Sequence, residues 1–220
     1  DFCIEILFKY SDEKERFTLI YRNKYWATNE LDPVSGQGST LPATANIRYE
    51  LPRLIERFKI RSMIDIPCGD FTWMSTVDLQ GVDYVGADIV EDLIEKNNEK
   101  FFQENRIFKV LDLLKDQLPT TDLIFCRDCF VHMTEQQIIV ALRNIISSKS
   151  RYLLTTSWEN LLTNKRSNRP DRWRPLNLSL PPYSLGLPLL TIDDSNTASK
   201  EDIGKSMFLF DISGMSTRLR

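Results

Sequence analysis

In the stretch MIDIPCGDFTW, residues 63–73, an apolar run ends at an acid, Asp65, and then breaks at a glycine, Gly69. This is the form of a strand that runs into a ligand-binding turn, because a residue without a Cβ lets the backbone come close to a bound molecule. The neighbouring charges narrow the ligand. A dinucleotide site places G-x-G-x-x-G after its first strand, so that backbone N–H groups and a helix N-terminus hold a pyrophosphate. Here there is one glycine, and Asp70 stands beside it. Its negative charge repels a pyrophosphate but suits a ligand carrying an ammonium and a sulfonium. Twenty-three positions beyond Asp65 comes Asp88, in YVGADIV, and later Asp112, in FKVLDLL, each just past a strand-like run. A carboxylate at Asp88 can accept from both hydroxyls of a ribose, each such bond contributing about 1.5–3 kcal/mol. One at Asp112 can accept from an adenine amine. Taken singly, each acid also reads as an ordinary helix N-cap; at three successive strand ends they form a constellation.

A second group lies in CRDCFVHM, residues 126–133. At the end of a fourth strand its side chains face the reacting atoms, which makes Asp128 and His132 the catalytic candidates. His132, the only histidine, can take a proton from an attacking hydroxyl or amine near neutral pH, with Asp128 orienting it. The alternative is that His132 closes the pocket and that catalysis is positioning, an effect worth up to ~7–11 kcal/mol. Trp26 precedes the loop SGQGST, whose Gly36 and Gly38 permit tight turns over a bound ligand; a plain connector with a surface tryptophan fits the same residues. Further on, Arg169, Arg172 and Arg174 flank Trp173. That combination suits stacking a ring and pairing with an anionic group, or else forms a solvated basic loop. Trp26, Arg172, Trp173 and Arg174 are the substrate-binding candidates. Cys126 and Cys129 form a C-x-x-C with no second pair to complete a zinc site, so they read as buried thiols and no metal is expected.

These residues need elements to position them. Strand-like runs cover residues 63–66, 82–87, 107–111, 123–126 and 152–155, with a last one at 207–212. Between them, Leu93, Ile94, Phe101 and Phe102 mark one helix. Thr134 opens another with the capping box T-E-Q-Q, running through Ile138, Ala141, Leu142, Ile145 and Ile146. Ahead of the first strand, Ile47, Leu51, Leu54, Ile55 and Phe58 fall at helical spacing, with Asn46 able to cap the start. Alternation of this kind argues for an α/β fold, a parallel sheet with helices on both faces and a ligand at the strands' carboxyl ends. The segment after residue 152 closes the sheet as an antiparallel hairpin.

Composition sets the frame. With 220 residues and 42% hydrophobic content the chain is long enough for one domain with a proper core. A net charge of −3 provides no broad electrostatic footprint for nucleic acid. No apolar stretch approaches the ~20 residues of a membrane span, and the acids in DFCIEILFKY do not suit a signal peptide. Four sparse cysteines fit a reducing compartment. The expectation is a soluble, cytoplasmic protein without nucleic-acid or membrane partners. It begins at Asp1 rather than methionine, so further residues are expected upstream.

Together, DIPCGDFTWM, SGQGST, YVGADIV, CRDCFVHM, YLLTT and WRPLNLSLPPY resemble the class I S-adenosylmethionine-dependent methyltransferases, within them a subgroup with D-I-P-C-G-D-F-x-W-M at the first motif. The resemblance spans residues 21–212. It implies a Rossmann-like three-layer sandwich, with a mostly parallel seven-stranded sheet whose last strand is antiparallel. It implies residues 1–46 as an N-terminal segment and covering loop, residues 47–220 as the methyltransferase domain, and S-adenosylmethionine as cofactor. Asp65 and Gly69 would frame its methionine end, Asp88 its ribose and Asp112 its adenine. Arg127 would lie in the segment after the fourth strand, and Pro67, Cys68, Ile89 and Leu113 complete the cofactor-binding set. Pro67 and Phe71 stand where the superfamily's common D-x-G-x-G-x-G has its outer glycines. LPPY at residues 180–183 lacks the leading acid of the D-P-P-Y motif of amine-directed DNA methyltransferases and follows the fifth strand, so it does not indicate DNA modification. The expected activity is methyl transfer to an oxygen or nitrogen of a small molecule, with a sugar or glycan intermediate as the acceptor class. The rival readings are a non-catalytic methyltransferase-like binding module and a nicotinamide-dependent oxidoreductase.

Overall fold

Short runs rich in branched and aromatic residues pair into one sheet. In chain order they are β1 (Ser62–Asp65), β2 (Asp83–Asp88), β3 (Arg106–Val110), β4 (Leu123–Cys126), β5 (Tyr152–Trp158), β6 (Leu190–Asp193) and β7 (Lys205–Asp211). The spatial order is β3-β2-β1-β4-β5-β7-β6. The pairs β1–β2, β1–β4, β2–β3 and β4–β5 are parallel, and β7 runs antiparallel between β5 and β6. This is the expected seven-stranded Rossmann-like sheet with its last strand inserted antiparallel. The computed structural model describes residues 12–30, 32–79, 81–166, 173–195 and 202–216.

β4 and β5 are buried along their whole length, as strands covered on both faces must be. Alternate residues feed two cores, because side chains along a strand point to opposite faces. On one face Met63, Tyr84, Phe125 and Leu154 meet Ile47, Leu51, Leu54 and Ile55 of α2 (Ala45–Phe58), together with Leu93 and Ile94 of α3 (Glu91–Phe101). On the other, Ile64, Ile124, Leu153 and Phe208 meet Ile138, Ala141, Leu142 and Ile145 of α4 (Glu135–Ser147). The capping box of α4 forms as read: Gln137 N donates to Thr134 Oγ1 at 3.2 Å, and Thr134 N donates to Gln137 Oε1 at 2.9 Å. Asn46, however, is not the cap of α2. Thr44 holds that position, and Asn46 lies inside the helix with its Nδ2 donating to the carbonyl of Asp193, tying α2 to the edge strand β6.

The alternation of strand and helix is looser than the periodicity suggests. Among the described residues, β1 and β2 are joined by only a 3-10 turn, Met74–Thr76, and no helix joins β3 to β4. The reason lies in FTWM. Phe71 is 1% exposed and sits with its ring 5.0–5.2 Å from those of Tyr84, Phe101 and Phe108. These rings cover the stretch of sheet that a helix would otherwise shield. Gly86 of β2 makes room for them: a Cβ there would lie 2.5 Å from Phe108 Cδ1.

Sequence periodicity gave no sign of α1 (Glu13–Arg22), which packs over α3 and the strand ends. It is capped by the Asp12 side chain, which accepts from Glu15 N. Its ion pairs Lys14–Glu91 and Arg22–Asp92 are exposed, and pairs of that kind contribute ~0–1 kcal/mol. What holds α1 is burial of Ile20, the packing of Phe17 and Tyr21 on the core, and the buried Arg16 paired with Glu13, which also accepts from Gln137 Nε2 of α4 at 2.8 Å. No helix among the described residues is long and apolar enough to cross a membrane.

Thr134→Ala removes one arm of the capping box and should lower unfolding free energy by about 1 kcal/mol. Urea denaturation should show a lower midpoint at an unchanged slope; an unchanged midpoint would mean that packing alone sets the start of α4.

Candidate active site

Strand order turns the three acids of the sequence into a row. Asp65 ends β1, Asp88 ends β2 and Asp112 follows β3, and all three line one cleft of about 480 Å3 at the carboxyl ends of the strands. Asp65 is buried and its Oδ2 accepts from the Tyr84 hydroxyl at 2.6 Å. Burial pushes its pKa up to about 8, the Tyr84 bond opposing and the nearby Asp88 charge adding to the rise. Asp88 accepts from Gly69 N at 3.2 Å and from Val90 N at 3.1 Å. Burial, only partly offset by those bonds, raises it to about 6.

The Gly69 turn is held at both its backbone groups. Its N–H goes to Asp88, and its carbonyl accepts from Asn97 Nδ2 of α3 at 2.8 Å. Its φ of +56° favours glycine, and a Cβ there would lie 2.4 Å from Ser35 Oγ, so any other residue would displace the loop that packs on the turn. Ser35 belongs to the SGQGST loop, which is laced onto the turn: Asp70 N donates to Ser35 Oγ at 3.1 Å and Ser35 N to Asp70 Oδ2 at 3.4 Å. Pro67, Cys68, Ile89 and Leu113 also line the cleft. Asp112 sits at its rim, where its carboxylate accepts from Leu114 N at 2.9 Å and pairs with Lys115 at 3.0 Å.

A buried ion-pair network closes the other half of the cleft. Arg127, just past β4, donates from Nε and Nη2 to the two oxygens of Asp194 at 2.9 and 3.2 Å, and from Nη1 to the Gly38 carbonyl at 2.9 Å. Its Nη1 also lies 3.2 Å from Asp128 Oδ2. Lys205, the first residue of β7, reaches Asp128 at 2.8 Å and Asp194 at 3.3 Å. Burial would raise the pKa of Asp128, but Lys205 and Arg127 outweigh it and hold the group well below the usual carboxylate range. The carboxylate expected to orient His132 does feel that residue, but its main partners are the two cations and the Thr156 hydroxyl at 3.3 Å. A carboxylate so held is a weak proton acceptor.

His132 ends the 3-10 turn Phe130–His132, and its ring stacks on Trp26 with centroids 5.2 Å apart and planes 29° from parallel. Both line the cleft, as does Trp173, which stands edge-on to Trp158 at 6.0 Å. Arg174, expected against the acceptor, does not line the cleft. Its backbone N–H donates to the Val131 carbonyl, which pins this segment along the 3-10 turn, and its buried Nη1 donates to the Met133 carbonyl at 2.6 Å. Arg169 and Arg172 lie outside the described residues. Cys126 is fully buried and Cys129 partly so, both as free thiols. Tyr84, Asn97, Asp194, Asp202 and Lys205 escaped the sequence reading. Tyr84 and Asn97 read as ordinary members of a strand and a helix, and the other three stand more than sixty positions from the motif that they serve, with no periodicity to mark them.

Comparison with known proteins finds the same architecture in solved structures. Magnesium protoporphyrin IX methyltransferase from Synechocystis PCC 6803, with bound SAH, is 13% identical, covering 93% of this chain and 97% of that one, with a TM-score of 0.60. The 1,6-didemethyltoxoflavin-N1-methyltransferase from Burkholderia thailandensis, bound to 1,6-didemethyltoxoflavin and S-adenosylhomocysteine, is 13% identical over 90% of this chain and 86% of that one, at 0.63. The methyltransferase domain of bacterial CtHen1 is 11% identical over 77% of this chain and 99% of that one, at 0.56. No protein-family model and no curated protein matches the chain. The chain has the Rossmann-like fold that these methyltransferases share.

Two outcomes follow from the buried charges. The folded protein keeps the Asp65 proton up to about pH 8, whereas the unfolded chain releases it near pH ~4. Stability from this group is therefore full below about pH 4 and lost as pH rises through about 8. Against the parent, the Tm of Asp65→Asn should rise progressively from about pH 5 to about pH 8 and level off above; a gap independent of pH in thermal melts would refute the burial account. Arg127→Met leaves Asp194, whose side chain is fully buried, with Lys205 alone. Denaturation should show a loss of about 3–5 kcal/mol, largely recovered in the double variant Arg127→Met/Asp194→Leu.

Proposed function

We propose that the protein transfers the methyl group of S-adenosylmethionine to an oxygen or nitrogen of a small molecule, with a sugar or glycan intermediate as the acceptor class. The observation that carries this reading is the row of Asp65, Asp88 and Asp112 along one cleft, with the Gly69 turn between the first two. A cleft of that size is ample for a nucleoside ligand, and its carboxylates favour a cationic one. Asp88 keeps lone pairs beyond the two backbone N–H groups that it accepts, enough to take the ribose hydroxyls. Asp112 would take the adenine amine, with Ile89 and Leu113 against the ring. Asp65, Pro67, Cys68 and Gly69 would frame the methionine end, with Arg127 holding the loop that covers it. The Synechocystis and Burkholderia enzymes, which hold SAH or S-adenosylhomocysteine in this fold, support the choice of cofactor.

A nicotinamide cofactor fits poorly. The Gly69 N–H that a pyrophosphate would need is already given to Asp88, and the turn leads into the single 3-10 turn Met74–Thr76 instead of a helix. A pyrophosphate would find neither free donors nor a helix dipole there.

When bound, S-adenosylmethionine supplies a methyl carbon made electrophilic by its sulfonium. The chain's own task is then to hold the acceptor in line and keep water out. Trp26, stacked on His132, and Trp173 line the cleft, and would hold the acceptor, since flat aromatic faces of this kind suit the C–H faces of a sugar ring. Arg172, next to Trp173, would extend that contact.

Isothermal titration should show S-adenosylhomocysteine binding and NAD not binding; binding of NAD alone would overturn the reading. Asp88→Asn should weaken S-adenosylhomocysteine by roughly ten- to a hundredfold, the worth of hydrogen bonds to a charged group, and an unchanged affinity would show that the ribose lies elsewhere.

A further inference from the structure

The lysine and arginine side chains among the described residues lining the cleft are Arg127 and Lys205, and both are engaged by carboxylates of the chain itself. Arg127 spends its donors on Asp194, Asp128 and the Gly38 carbonyl, and Lys205 bridges Asp128 and Asp194. Two positive charges are thus matched by two negative ones. Asp202, three residues before Lys205, lines the same cleft and adds a further carboxylate beside this balanced set. Unlike Asp128, it accepts no hydrogen bond from any described residue, although it is partly buried. A partly buried carboxylate without a donor costs free energy unless a ligand or water supplies one.

We propose that Asp202 receives the reacting O–H or N–H of the acceptor, and that the acceptor presents a neutral hydroxyl or an amine there, with no phosphate or carboxylate beside the nucleophile. The inference rests on the methyl-transfer reading above. In the step it serves, a lone pair on the acceptor's oxygen or nitrogen forms the new bond to the methyl carbon. The carbon–sulfur bond breaks with its electrons kept by sulfur, and the proton released by the acceptor passes to the Asp202 carboxylate. Burial and the neighbouring charges of Asp128 and Asp194 raise its proton affinity, against the pull of Lys205 and Arg127. An anionic acceptor would add to a local excess of carboxylates at this point, because Lys205 and Arg127 are two cations shared among Asp128, Asp194 and Asp202. Asp128 cannot serve as well, since two cations hold its proton affinity down.

The probes are S-adenosylhomocysteine and sinefungin, its analogue in which a carbon bearing an ammonium replaces sulfur, so that a positive charge occupies the place of the transferred methyl. The parent protein should bind sinefungin more tightly than S-adenosylhomocysteine. Asp202→Asn should lower that preference by roughly tenfold, a change of about 1.4 kcal/mol, while leaving affinity for S-adenosylhomocysteine within about twofold. Asp202→Glu, which keeps the charge, should retain the preference. Both ligands binding with the same ratio in the parent and in Asp202→Asn would overturn the role of Asp202 and leave the methyl-transfer reading standing. Neither ligand binding the parent would overturn both.

Discussion

Arg127 sits at the carboxyl end of β4 with its guanidinium buried, and its ion-pair network gathers three otherwise separate pieces of chain. Asp194 comes from the end of β6, Gly38 from the covering loop, Asp128 from its own strand's exit, and Lys205 joins from β7 through the shared carboxylates. Taking four charged groups out of water is expensive, on the order of several kcal/mol per ion before compensation. The arrangement survives because the geometry is bidentate and nearly every donor finds an acceptor. Its effect is to make position, more than stability, depend on charge. The loop lining the cleft and the chain just past β6 are tied to the same guanidinium.

The opposite half of the cleft is organised by acids without matching cations. Asp65 and Asp88 are buried, and each is pushed toward its neutral form. Such groups are costly in the empty protein and become favourable when a cation arrives, which is the electrostatic preorganisation that a positively charged ligand exploits. The Gly69 turn lies between them, held at its N–H by Asp88 and at its carbonyl by Asn97. The turn itself is therefore part of the charge arrangement, since the group that fixes its backbone is also one of the acids that line the cleft.

The two halves divide the work by charge. One presents carboxylates to a cation, and the other presents a balanced network, aromatic faces and one carboxylate free of hydrogen bonds. That contrast underlies the proposal of a cationic methyl donor and an uncharged or cationic acceptor.

Much of this was legible in the sequence, and what was legible is local. Short strand-like runs predicted the strands, three of them with an aspartate at the carboxyl end, T-E-Q-Q predicted the start of α4, and the single glycine with Asp70 argued against a pyrophosphate site; each of these is decided by residues within a few positions of one another. The partnerships of those residues were not legible. Asp128 and His132 stand four apart and read as a pair; the sequence does not show that Asp128 is also held by Lys205, seventy-seven positions away, or that His132 stacks on Trp26. Arg174 looked like a ligand contact because its sequence neighbours are basic, but the packing of its backbone on Val131 turned it inward. Local spacing determines which element a residue joins and which face it takes; which charges meet across the sheet is decided only when distant strands close, because a buried ion needs its partner in space and leaves no periodic trace in the chain.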